Sequence, residues 1–143
     1  MALNTDHLSH CIETLDSTLE HLQVAEPDSI EYDIFRNAAI KGFELTLETA
    51  GKLLRKALKL YSGNPRSVDE LVFKDVLRNG VKHGLLDTNA VKRWFKYRDN
   101  RNNTAHDYGK AFAEETLKLL PDFLIDARSL QQILENKLGA ADA

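Results

Sequence analysis

Apolar residues recur at steps of three and four along almost the whole chain, and no run alternates at period two for long enough to make a strand. That pattern restricts the chain to an all-α fold. Leu8, Ile12, Leu15, Leu19 and Leu22 mark one buried stripe. A break follows at Ala25-Glu26-Pro27-Asp28, where Asp28 or Ser29 can cap what comes next. Phe35, Ala39, Phe43, Leu47, Ala50, Leu54, Leu58 and Tyr61 line a long second helix, stopped by Ser62-Gly63-Asn64-Pro65.

Ser67-Val68-Asp69-Glu70 reads as a capping box opening a third helix, with Val72, Val76 and Leu77 facing inward. Gly80 and Gly84 should weaken and end it. Asp87 or Thr88 caps a fourth, with Val91, Trp94, Phe95 and Arg98 on one side. A fifth begins near Lys110, with Phe112, Leu119, Phe123, Leu130 and Leu134 in register and Pro121 expected to bend it. Short connections between five such helices predict an antiparallel four- or five-helix up-and-down bundle.

A chain of 143 residues is expected to form one domain, residues 1–143, with 138–143 a frayed tail. Cys11, the lone cysteine, falls on the first apolar stripe, so no intrachain disulfide is available and a reducing compartment is expected. The N-terminus lacks the basic start and apolar run of a signal peptide, and no apolar stretch is long enough to span a bilayer. A cytoplasmic protein with no membrane partner is the resulting expectation.

The formal charge of −3 conceals a block pattern. Ten acids face two bases in residues 1–50, fourteen bases face six acids in 51–110, and acids again lead in 111–143. Either a basic face attracts phosphates, or helix packing mixes the blocks in space; the sequence leaves both open.

From Trp94 to Lys110 the chain reads W-F-K-Y-R-D-N-R-N-N-T-A-H-D-Y-G-K. Asn100, Asn102, Asn103 and Thr104 are mediocre helix formers whose side chains compete for backbone hydrogen bonds. Propensity given up locally is a mark of a site. Lys92, Arg93, Lys96, Arg98, Arg101 and Lys110 outnumber Asp99 and Asp107 here, and Arg93, Lys96 and Arg98 are candidate RNA or phosphate contacts. Arg101 and Tyr108, seven apart, lie nearly above one another on a helix. Arg101 and His106, five apart, are about 140° apart, so they meet on one substrate only if the helix bends or ends between them or a second chain supplies one. A plain structural role suits the same residues: Arg98 and Arg101 paired with Asp99 and Asp107, His106 at the surface, Tyr108 packed at a helix end.

Elsewhere the signals are weak. His7 and His10 with Glu13 or Asp16 could approach a metal, but surface histidines at a helix start are commoner. His21 and His83 lack ligand spacing, and there is no glycine-rich phosphate loop or nucleophile elbow. No metal and no cofactor are expected.

Arg101, Asn102, His106 and Tyr108 together spell R-N-x-x-x-H-x-Y, which resembles the signature of the HEPN superfamily. The likeness extends over roughly residues 28–135. Arg36 to Glu48 is similar to the long second helix of its nucleotidyltransferase substrate-binding subgroup, and Gly80 to Leu86 fits that subgroup too. Gly51 departs from the pattern, which has a bulky tryptophan there. The resemblance implies a homodimeric bundle with the motif lining a cleft between subunits. It also implies a metal-independent endoribonuclease, the toxin of a toxin–antitoxin pair, with Arg101, Asn102 and His106 catalytic. The implied partner is a cognate minimal nucleotidyltransferase that silences the toxin by adding AMP to Tyr108. The alternative is a non-catalytic substrate-binding subunit of that transferase.

Overall fold

The computed structural model describes residues 3–104 and 110–139, and of 102–104, 110 and 111 the backbone alone. Its elements are α1 (Asp6–Val24), α2 (Ile30–Lys59), α3 (Pro65–Asp69), α4 (Phe73–Lys82), α5 (Thr88–Thr104) and α6 (Lys110–Leu138). The all-helical expectation holds. Ser29 caps α2, its hydroxyl accepting from the Tyr32 amide at 3.0 Å.

The four long helices alternate in direction, as cross-helix contacts show. Cys11 lies near Thr49, and His21 near Phe35, so α1 and α2 are antiparallel. Arg128 of α6 reaches Asp16 of α1 at 2.7 Å, while Thr5, just before α1, donates to Glu135 near the end of α6 at 2.8 Å. Arg93 and Asn100 of α5 meet Asp126 and Thr116 of α6, again antiparallel. Leu8, Ile12 and Leu15 of α1 are buried against Phe43, Leu47 and Leu54 of α2 and Phe123, Leu130 and Leu134 of α6. Each such aliphatic side chain contributes roughly 1.5–3 kcal/mol on burial. Phe43, Trp94, Tyr97 and Phe123 form an edge-to-face cluster joining α2, α5 and α6, with centroids 4.8 to 5.8 Å apart.

The third helix differs from expectation. It is split, because Pro65 starts a separate short turn at its first position, and the expected capping box lies inside that turn. Ser67 donates to the Asn64 carbonyl at 2.7 Å rather than capping a helix. Arg55 donates to the Val68 carbonyl at 2.6 Å and Lys59 pairs with Asp69 at 2.6 Å, holding the turn on α2. Val72 becomes the N-cap of α4 and stands 64% exposed, not inward; Val76 and Leu77 are buried as expected. Gly80 does not end α4 but packs inside it, where an added Cβ would lie 3.2 Å from Leu54 and Leu86. The turn comes at Gly84, whose φ of +74° suits only glycine well.

At the C-terminal end, Leu138 itself is helical rather than part of a tail. α6 runs through Pro121 to Leu138, whose carbonyl accepts from the Leu3 amide at 2.6 Å. Residues 140–143 lie outside the described residues.

Gly51 is explained by packing. Its ideal Cβ would sit 2.4 Å from Phe73 Cε2, so the Phe73 ring of α4 occupies the volume a side chain at 51 would need. Gly51→Leu is therefore expected to destabilise by about 1–3 kcal/mol through overpacking, despite leucine's better helix propensity. A lowered urea midpoint checks this, and adding Phe73→Ala should recover part of it.

Candidate functional site

α5 carries the described part of the motif. Arg101 and Asn102 stand in its last turn; Arg101 is half-buried, and the side chain of Asn102 lies outside the described residues. His106 and Tyr108 also lie outside them, in the stretch between the described ends of α5 and α6. What the structure supplies is the frame formed by α5 and α6, the helices before and after it in sequence.

The frame is built from polar side chains on the facing surfaces of α5 and α6. Arg93 donates twice to Asp126, Nε to Oδ2 and Nη2 to Oδ1, each at 2.8 Å. The Tyr97 hydroxyl donates to Asp126 Oδ2 at 2.5 Å. Asp126 is 5% exposed and Tyr97 1%, so this carboxylate is a buried charge made tolerable by a fork and a phenol. Burial first, then the bond to Asp126, pushes the Tyr97 phenol well above its ordinary range. Arg93's own hydrogen bonds to Asp126 raise its guanidinium further above an already high value. Two turns on, buried Thr116 donates to Asn100 Oδ1 at 2.9 Å and contacts the Phe112 carbonyl at 3.0 Å. Asn100, Tyr97 and Arg93 thus secure successive turns of α5 to α6 below the motif.

The remaining sequence candidates fall as follows. Lys96 is exposed. The Arg98 guanidinium lies 4.8 Å from the centre of the Phe73 ring. Arg93, expected to face phosphate, has its fork committed to Asp126, which leaves it a structural position. Asp99 pairs with Lys74 of α4 at 2.9 Å, not with an arginine of its own helix. Midway along α1, Glu13 and Asp16 face Arg128, and no metal-ligand cluster occurs among the described residues.

Tyr97 and Asp126 were missed by the sequence reading, yet both carry a signal. Asp126 sits on the stripe of Leu119, Phe123, Leu130 and Leu134, and Tyr97 follows Ala90 and Trp94 at helical spacing. A carboxylate at an apolar position of a buried stripe calls for a partner across the interface. No described helix is long and apolar enough to cross a membrane.

The exposed apolar side chains add a second feature at this end of the bundle. Ile30 and Ile34 are 74% and 56% exposed on the first turns of α2. Between them Tyr32 approaches Glu114 near the start of α6, its hydroxyl 3.4 Å from Oε1.

Known proteins share this fold. A curated protein of Haemophilus influenzae (strain ATCC 51907 / DSM 11121 / KW20 / Rd), named "Probable ribonuclease HepT", is 28% identical over 141 residues, covering 94% of each chain. A solved structure, also from Haemophilus influenzae, superposes with a TM-score of 0.81 at 28% identity, over 92% of this chain and 99% of that one. It is described as revealing the fold of a substrate binding domain of a nucleotidyltransferase. The family described as "Nucleotidyltransferase substrate binding protein like" matches residues 3–136. With that match over nearly its whole length, the chain belongs to the nucleotidyltransferase substrate-binding-protein-like family.

Proposed function

We propose that this protein is a HEPN-type, metal-independent endoribonuclease, the toxin of a toxin–antitoxin pair whose antitoxin is a minimal nucleotidyltransferase. The observation that carries this reading is the R-N-x-x-x-H-x-Y set from Arg101 to Tyr108, intact in a chain that aligns along 94% of its length with a relative named as a ribonuclease. Cutting RNA without a metal needs a proton acceptor for the 2′-hydroxyl and positive charge on the crowded phosphate. That role falls to His106, since an imidazole is the side chain whose ordinary range suits such a transfer. Arg101 forks two hydrogen bonds onto phosphate oxygens as charge builds, and Asn102 orients the phosphate or the imidazole. Arg98 and Lys96, three and five residues before Arg101 on α5, contribute phosphate attraction. RNA brings its own nucleophile and DNA does not, so DNA is spared.

The protein acts as a homodimer in this reading, with the motif of each copy beside the two-fold axis. Exposed Ile30 and Ile34 next to the α6 start support an interface at this end. The direct test is incubation of purified protein with single-stranded RNA in EDTA. Products ending in a 2′,3′-cyclic phosphate, or its hydrolysis product, are expected. Inertness on every RNA tested would leave the second reading, a non-catalytic companion that presents substrate to the transferase. The family's description favours that alternative.

Control by the transferase is assigned to Tyr108 as AMP acceptor. AMP there adds a phosphodiester charge for Arg101 or Arg98 and fills space that RNA needs. Co-expression with the transferase should add one AMP mass to the wild type and silence it, whereas Tyr108→Phe should stay unmodified and active. An AMP found elsewhere, or equal silencing of Tyr108→Phe, would point to occlusion by complex formation instead.

A further inference from the structure

We infer that the seam between α4 and the second half of α5 is a track for single-stranded RNA leading to the motif, with Lys74, Arg78 and Phe95 as its contacts. The ligand rests on the ribonuclease reading; the track rests on how this seam is built. Two cations from one face of α4 converge on a ring of α5: Lys74 Nζ lies 5.6 Å and Arg78 Cζ 5.2 Å from the centre of Phe95. One turn further, Arg98 of α5 lies over Phe73 of α4 at 4.8 Å. The seam thus lays cations over partly buried rings; cations that turn to phosphates uncover flat faces for bases, the combination that follows a single strand.

The carboxylates nearby do not consume this charge. Lys74 pairs with Asp99 at 2.9 Å and Arg78 with Asp75 at 2.7 Å, but the two acids are 54% and 45% exposed. Pairs so open to water are weak and yield to a polyanion. The direction of the seam is set by helix geometry. Phe95, Arg98 and Asn102 follow one another at steps of three and four on α5, with Arg101 flanking Arg98, so the line climbs about 9 Å from Phe95 to Arg101. A protein partner is the poorer fit, since such interfaces centre on apolar side chains. Val72 is the one strongly exposed apolar residue among those described at this seam.

The test measures binding apart from cleavage. In a His106→Ala background, a labelled single-stranded RNA long enough to span the seam is titrated at several salt concentrations, beside a dinucleotide too short to reach it. Lys74→Gln with Arg78→Gln should weaken binding of the long RNA about tenfold and flatten the salt slope by about 1.4, since each phosphate on a single strand accounts for roughly 0.7. Phe95→Leu should weaken binding severalfold with the slope unchanged, as stacking is lost but charge is not. With His106 intact, the charge variant should raise KM for long RNA while kcat, dinucleotide cleavage and thermal stability hold. Unchanged affinity and slope in the double variant, with wild type binding RNA, would overturn the track and leave the ribonuclease intact. An effect confined to the transferase complex would overturn it likewise. Seam-dependent binding without cleavage would uphold the track and defeat the ribonuclease reading, and no RNA binding even at low salt would defeat both.

Discussion

Arg101→Ala and His106→Ala are each expected to slow RNA cleavage in EDTA by about two or more orders of magnitude. In the proposed mechanism the histidine supplies general base or acid chemistry, whose loss removes a proton path that water at neutral pH replaces poorly. The proposed role of the arginine is a fork on the phosphate, and Arg101→Lys should recover little, because an ammonium is a point charge that cannot grip two oxygens at once. Arg101 is half-buried, so its loss needs a folding control. The sole tryptophan, Trp94, is buried in the aromatic cluster and reports unfolding by fluorescence. Matching wild-type rates in both variants would remove the proposed chemistry and favour the substrate-binding reading.

The second large effect is on stability. Asp126→Ala is expected to destabilise by about 2–4 kcal/mol, measured as a shift in urea midpoint at constant slope. The substitution orphans the buried Tyr97 hydroxyl, which alone costs about 1–3 kcal/mol, and leaves a cavity between α5 and α6. Arg93 is half in solvent and recovers water, so its share is small. Asp126→Asn keeps an acceptor for Tyr97 and should fall between wild type and alanine. The Tyr97 phenol adds a pH signature. Its folded value is raised by burial and by Asp126, whereas an unfolded tyrosine ionises near about 10. The folded state therefore binds the proton more tightly than the unfolded one. Stability is fully present below about pH 10 and is lost as pH rises beyond it. Tyr97→Phe should flatten that alkaline limb. An unchanged limb would mean that other groups set it.

How far the sequence revealed these features depends on the kind of signal. The stripes of α1, α2 and α6 were legible because burial repeats at the helical period, and Ser29 capped where its side-chain chemistry indicated. The region between α2 and α5 was misread because Pro65 and Ser67 both carry helix-start signals, and only tertiary contacts from Arg55 and Lys59 decide between them. Gly80 looked like a terminator, since the sequence does not show Leu54 and Leu86 closing over it. Arg93 read as a phosphate contact because its partner, Asp126, is 33 residues away on another helix. The motif was visible as a break from helix-forming composition, but the charges flanking it divide into α5–α6 fasteners and an α4–α5 seam only once the helices are laid together.

The Phe73 ring over Gly51 has an evolutionary corollary. One parcel of volume is claimed by two positions 22 residues apart, and either can supply it. Relatives with a large side chain at the position of Gly51 should carry a small one, or a displaced α4 start, at the position of Phe73. The two sites should therefore trade size as a pair across the family. Because Arg98 lies on that ring, the exchange would also move a cation within one turn of Arg101. Divergence in a packing detail far from the motif in sequence is thus a route by which members could differ in the charge set beside Arg101, with every motif residue left in place.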